Sequence, residues 1–213
     1  MKKFQNHMQS LGLAGIDIGI AVLPDRRDLL AWLSVMQHYD VPTRLLDWTS
    51  NFWVAVYFAC ASEPDQDGEL YFLDRNVFDY KTGGVKLTAE EKRFTLSFDS
   101  TATAMKLEPR VVLYDPRSTP RMLVQAGHHT VCSRPFGDHL PYLVTRQQDA
   151  VQGGSRAMFR RVVIDRRCKK KLLDHLVDAE DVHAGTLFPD VAGIGKYLQW
   201  QLDSFNTRLH AED

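Results

Sequence analysis

Apolar residues at Leu29, Trp32, Leu33 and Met36 have the three- and four-residue spacing of one helix face, and they predict a helix from Asp28 to about Tyr39. Val41 precedes Pro42, whose ring pushes it out of the helical region, so this helix has to stop there. Pro42 to Trp48 reads as extended chain. Thr49, Ser50 and Asn51 are each competent to cap the next helix, which is apolar on nearly every side through Val54, Val56 and Phe58. A helix apolar all round is a buried one. Pro64, Asp65, Asp67 and Gly68 close it with a turn, and Glu69 to Leu73 reads as a strand.

The later elements are less regular. Residues up to about Gly19 are mixed in character and predict a loosely attached helix or arm. Thr88 to Glu91 fits a capping box for a short helix, and Ser97 to Lys106 has no clear period. Arg110 to Tyr114 reads as a strand ended by Asp115 and Pro116, and Val124 to Ser133 shows strand-like alternation. Phe136 to Ser155, with Gly137, Gly153 and Gly154, predicts a loop-rich stretch. Met158 to Ile164 is a further strand, Arg166 to Val177 a basic amphipathic helix, and Asp190 to Leu209 a final helix after a turn at Thr186 to Pro189. Strands that alternate irregularly with helices point to an α+β domain and away from a doubly wound parallel sheet.

Composition narrows the class. The chain has 213 residues, 44% of them hydrophobic, enough for one substantial core or at most two small ones. No interdomain linker or internal repeat interrupts it, so residues 1–213 read as a single domain. With 26 basic and 27 acidic residues the net charge is -1, which gives binding to a polyanion no support. The longest apolar run, Phe52 to Ala61, is far too short to span a bilayer, and no signal-peptide pattern opens the chain. Three widely spaced cysteines, Cys60, Cys132 and Cys168, suggest reduced thiols. The expectation is a cytoplasmic protein with no membrane partner.

Candidate chemistry concentrates between Gln37 and Ala61. This stretch places a proline-fixed turn, Arg44, Asp47, Trp48 and the run Thr49-Ser50-Asn51 directly before a buried helix. Polar groups there need partners inside the fold, or a ligand. Arg44 and Asp47 have two readings: pocket residues, or a buried ion pair bracing the Pro42 turn with Trp48 as core. His38 and Tyr39 are a general base with its hydrogen-bonding neighbour, or a cap on the C-terminal carbonyls of the first helix. Gln125, two residues before Gly127, points its amide into the same pocket or satisfies a strand edge. His128, His129, Cys132 and His139 are metal-ligand types, but their spacing matches no closed site and no metal is expected. The basic run Arg166, Arg167, Lys169, Lys170 and Lys171 reads first as the solvated face of a helix, and only second as a phosphate or acidic-partner surface.

The chain resembles the FRG-domain family. The residues that carry the resemblance are Asp28-Leu-Leu-Ala-Trp-Leu33, Gln37-His38-Tyr39, Pro42-Thr43-Arg44-Leu45-Leu46-Asp47-Trp48-Thr49, Ala55 to Ala59 and Gly68 to Tyr71. Later come Arg121, Gln125 and Gly127, then Thr186 to Asp190 with Gly193 and Tyr197-Leu198. The family's Phe/Tyr-Arg-Gly motif, which stands upstream of the first helix, is missing; either the chain begins inside the domain or this member lacks the first strand.

Through that family the layout is similar to ADP-ribosyltransferase folds, which implies a mixed or antiparallel split β-sheet with flanking helices. Trp48-Thr49-Ser50 followed by Ala55 to Phe58 stands where those enzymes carry a polar strand leading into a helix, and Arg121 and Gln125 stand where they carry a Glu. The resemblance implies NAD as substrate, with Asp47 and Gln125 as catalytic candidates. Gln37, His38, Tyr39, Thr43, Arg44, Trp48, Thr49, Ser50, Asn51 and Arg121 are the ligand-binding candidates: Arg44 for phosphate, Trp48 or Tyr39 for stacking, Thr49 and Ser50 for ribose or amide. The alternative is a non-catalytic interaction module of a larger defence or regulatory system, with a protein partner.

Overall fold

The computed structural model describes residues 5, 25, 28–75, 111–114, 119–132, 138–154 and 159–209. Helix α1 (Leu29–His38) begins where Asp28 Oδ1 accepts the backbone N–H of Ala31 at 3.1 Å. It ends in a left-handed residue, Asp40 (φ 55°), with Asp40 N–H donating to the Gln37 carbonyl and Val41 N–H to the Met36 carbonyl at 3.0 Å each. These two bonds satisfy carbonyls the helix itself leaves open, and they release the chain into the Pro42 turn. Strand β1 (Leu45–Thr49) follows, then helix α2 (Phe52–Ala61) and strand β2 (Gly68–Leu73). The remaining elements are β3 (Val111–Tyr114), α3 (Pro120–Val124), β4 (Gly127–Cys132), α4 (His139–Gln152), β5 (Phe159–Ile164), α5 (Arg166–Glu180), α6 (Ala184–Leu187) and α7 (Val191–Leu209). The chain is an α+β protein.

The chain divides into two compact units: Met1–Trp48, Tyr71–Thr119 and Gly127–Arg160 form the first, and Thr49–Leu70, Pro120–Ala126 and Arg161–Asp213 the second. In the first, β4 lies between β1 and β3, with β3 antiparallel to it and Val111 opposite Cys132, Leu113 opposite Thr130 and Tyr114 opposite His129. Side chains alternate across a strand, so β4 feeds two cores. Val131 packs with Leu45 and with Leu30 and Leu33 of α1. Cys132, one residue on, packs with Val111 and with Leu143 of α4, flanked by Trp48 and Leu113. The three-stranded sheet therefore carries α1 on one face and α4 on the other.

Helix α4 corrects the expectation of a loop-rich stretch from Phe136 to Ser155. Asp138 caps it by accepting the Leu140 N–H at 2.9 Å, and Gly153 ends it. Leu143 and Ala150, seven residues apart on one face, are fully buried. Gly153 and Gly154, two of the glycines that suggested a loop, lie just past the C-terminal end of the helix. The expected strand and helix bounds elsewhere agree to within a few residues, although α5 runs on to Glu180, and the short helices α3 and α6 stand where the sequence predicts none, α6 ending inside the expected turn at Thr186 to Pro189. The expected elements at 88–91 and 97–106, and the expected arm before Gly19, lie outside the described residues.

The second unit is built on α2 and α5. Val54, Val56 and Cys60 of α2 pack with Leu176 of α5, Leu70, Val182 and Leu187, with Trp53, Tyr57 and Phe188 at the margin. Gly68 is required by close approach: a Cβ there would stand 2.5 Å from the Ala59 carbonyl oxygen. Strands β2 and β5 pair as a two-stranded sheet.

Candidate functional site

Asp47 and Leu45 alternate onto the α1 face of the sheet, and this places Asp47 beside two polar residues of different elements. Its Oδ2 accepts from Gln37 Nε2 at 3.3 Å, and its Oδ1 lies 2.8 Å from His129 Nδ1. The histidine contact is one of charge and dipole, without the alignment of a hydrogen bond. Gln37 in turn accepts from Thr43 Oγ1 at 2.5 Å, and Thr43 Oγ1 also accepts the Leu45 N–H at 3.1 Å. On its other side His129 Nε2 meets Ser34 Oγ at 3.2 Å, and its ring stacks on Tyr114. Burial pushes the Tyr114 phenol up to about 12, so it stays neutral beside the imidazole. Ser34 and His129 are buried, whereas the Asp47 side chain is 64% exposed. A buried Arg44–Asp47 ion pair is therefore not what braces the turn: the carboxylate faces solvent.

Trp48, one residue on, turns to the α4 face. Its indole Nε1–H donates to Thr130 Oγ1 at 3.0 Å, and Thr130 Oγ1 lies 2.8 Å from His139 Nδ1. Burial lowers the His139 pKa below the ordinary imidazole value, and a hydrogen bond to the Arg44 backbone and the Asp138 charge act against that shift. Trp48 is thus fixed by a buried chain and does not swing freely over a ligand. Arg44 itself is buried, and burial pulls its guanidinium below the usual value. His38 and Tyr39 follow Gln37 at the end of α1, with their rings edge to face at 4.9 Å; Tyr39 is exposed.

In the second unit the candidates bond chiefly to backbone. Thr49 Oγ1 donates to the Gln125 carbonyl at 2.7 Å and accepts the Asn51 N–H at 3.0 Å. Ser50 N–H donates to the Ala126 carbonyl at 3.0 Å. Asn51 is the cap of α2, its Oδ1 accepting from Trp53 N–H at 2.9 Å and from Val54 N–H at 3.4 Å. Gln125 Nε2 donates to the Leu187 carbonyl at 3.0 Å, and the Arg121 guanidinium lies over the Phe188 ring, 4.5 Å from its centroid.

The basic run on α5 is engaged locally. Arg166 donates from its backbone to Asp67 and from its side chain to the Asp65 carbonyl, Arg167 pairs with Asp165, and Lys170 lies 3.4 Å from Asp174. Lys169 is buried and donates to the Ser62 and Glu63 carbonyls at 2.9 Å each. Among the described residues no three His, Cys, Asp or Glu side chains converge as metal ligands. No helix among them is long and apolar enough to cross a membrane.

The sequence places Gln37, Thr43 and Asp47 in one site but does not bring His129 and Ser34 to it. His129 reads in the sequence as a metal-ligand type, and nothing there marks Ser34. The period-two alternation of β4, which puts His129 on the Val131 face, is the signal that separates it from Thr130 and Cys132.

No curated protein and no solved structure matches the chain. The FRG-domain model matches residues 19–68, which take in Gln37 through Asn51 but stop before Arg121, Gln125 and the later residues of the resemblance. Residues 19–68, which carry Gln37, Thr43 and Asp47 of the site, are thus similar to the FRG domain, and His129 lies outside the match.

Proposed function

We propose that the first unit binds a nucleotide-like ligand, NAD in particular, over Asp47, and that Asp47 is the carboxylate that supports cleavage of the nicotinamide–ribose bond. The observation that carries this reading is a carboxylate engaged at both oxygens, by Gln37 and His129, with its side chain 64% exposed. A carboxylate held this way needs little reorganisation when positive charge develops nearby, which is the condition for electrostatic stabilisation. In the reaction the C1′–N bond breaks and its electron pair leaves with nicotinamide. The ribosyl cation is captured by water or by an acceptor hydroxyl, which loses a proton. Exposed Tyr39 offers a ring face at the end of the same helix as Gln37.

Calorimetric titration with NAD of the wild type and of Asp47→Asn, run beside a nicotinamide-release assay, tests the proposal. The reading expects saturable binding by both proteins and release by the wild type alone. No heat and no release from a folded wild type would remove it.

A second reading, a non-catalytic interaction module, draws on the second unit. There Thr49, Asn51 and Gln125 give their side-chain hydrogen bonds to backbone groups and so act as structure. Partner binding that survives both Asp47→Asn and Gln125→Ala would favour it.

A further inference from the structure

We propose that an outer face of α7 is a homodimer interface, occupied by the same helix of a second copy of this chain running antiparallel. Helix α7 packs on its own unit through Gly193, Tyr197, Trp200 and Ser204, the residues between 191 and 206 that are not exposed. Gly193 permits this contact: a Cβ there would collide with the Phe188 carbonyl. A second face carries Val191, Ile194, Leu198, Leu202 and Phe205, each more than half exposed, with Val191 at 85%. At 3.6 residues per turn these five fall within roughly 80° of arc, a narrow seam. A continuous apolar stripe of this kind marks an interaction site, unlike apolar residues scattered singly.

The spacing of the stripe suits a second copy of the chain as its occupant. The intervals from Val191 to Phe205 are 3, 4, 4 and 3 residues, the same read in either direction and centred on Leu198. A two-fold axis through Leu198 sets Val191 against Phe205, Ile194 against Leu202, and Leu198 against its own copy. This is the self-complementarity an isologous interface requires.

Charge agrees with a self-pairing. The positions bordering the seam are Gly195, Gln199, Gln201 and Asn206, so two copies set no like charges opposite each other. Lys196 and Asp203 lie on the far side of the helix, Lys196 with its ammonium over the Phe188 ring at 5.3 Å and Asp203 accepting from Gln199 at 3.0 Å. A Cβ on Gly195 would meet nothing within 4 Å, which leaves the backbone beside the seam open to close approach. Two such seams hide on the order of 1,000 Å² in total, the low end of specific interfaces, where weak and transient pairs are found.

Sedimentation equilibrium of the purified chain reads the mass directly, with circular dichroism as the control for fold. The wild type is expected to shift to twice the monomer mass as concentration rises through the micromolar range, and Leu198→Glu, which sets two carboxylates face to face, to lose the dimer with its helix signal unchanged. In a Cys168→Ser background, Leu198→Cys is expected to form an intermolecular disulfide on oxidation. Val191→Cys alone is not, but Val191→Cys mixed with Phe205→Cys is. A wild type that stays monomeric, a Leu198→Glu dimer, or cross-linking of Val191→Cys alone as efficient as that of Leu198→Cys would each overturn the proposal.

Discussion

His129 Nδ1 stands 2.8 Å from Asp47 Oδ1, and the pair joins a buried imidazole to an exposed carboxylate. The imidazole is held from behind by Ser34 and from its face by Tyr114, so the core fixes where the carboxylate points. Replacing the ring with an apolar one separates these functions. His129→Phe is expected to keep the stack on Tyr114 but to strand the Ser34 hydroxyl, at a cost of about 1–3 kcal/mol in urea unfolding. On the proposed function it also lowers nicotinamide release by more than the loss of folded protein explains.

The start of α2 depends on one side chain. Asn51 Oδ1 is the acceptor for the N–H groups of Trp53 and Val54. Asn51→Ala is predicted to cost about 1 kcal/mol, and thermal unfolding should show a fall in Tm of about 2–4 °C for a chain of this size.

Lys169 anchors the other end of the same helix. Its ammonium donates to the Ser62 and Glu63 carbonyls just past Ala61, and it is buried. Lys169→Met keeps the stem and removes both donors. The predicted loss is roughly 2–3 kcal/mol, since charged hydrogen bonds go and carbonyls are left without them. Arg166→Ala and Lys170→Ala, on the exposed part of the same run, are predicted to cost under about 1 kcal/mol each.

His139 makes stability depend on pH. Burial lowers its folded pKa below the ordinary 6.5, so the unfolded chain binds the extra proton first as pH falls. The unfolded state then holds more protons than the folded state, and stability rises with pH in that window. The contribution of His139 is complete above the unfolded value and is lost as pH drops below it towards the folded pKa. Tm measured at successive pH values should therefore fall on acidification through this range, and His139→Gln should flatten that part of the curve. An unchanged slope in the variant would assign the effect elsewhere.

What could be read from the sequence follows from how local each determinant is. The stop of α1 before Pro42 and the start of α2 after Thr49-Ser50-Asn51, of which Asn51 is the cap, depend on neighbours within four residues and stand where the sequence predicts, but α2 is not buried all round: Val54, Val56 and Cys60 are buried while Phe52 and Phe58 are exposed. Helix α4 is hidden in the sequence because Gly137 and Gly153 dominate the local signal, while its buried face, Leu143 and Ala150, is set by tertiary packing, with Leu143 against Val111 and Cys132. Arg44 reads as a phosphate ligand from its company in the loop, yet it is buried. The partnership of Asp47 with His129 and Ser34 depends on β4 pairing between β1 and β3, a long-range fact that no local window holds.

The measurement that bears most directly on this account is nicotinamide release from NAD by the wild type and by Asp47→Asn, each first shown to be folded by circular dichroism. The account predicts steady release by the wild type and a loss of about 10²–10³-fold in the variant, the scale for removing one preorganised electrostatic group. Equal release by the two proteins, or none from a folded wild type that also gives no heat with NAD, would contradict it.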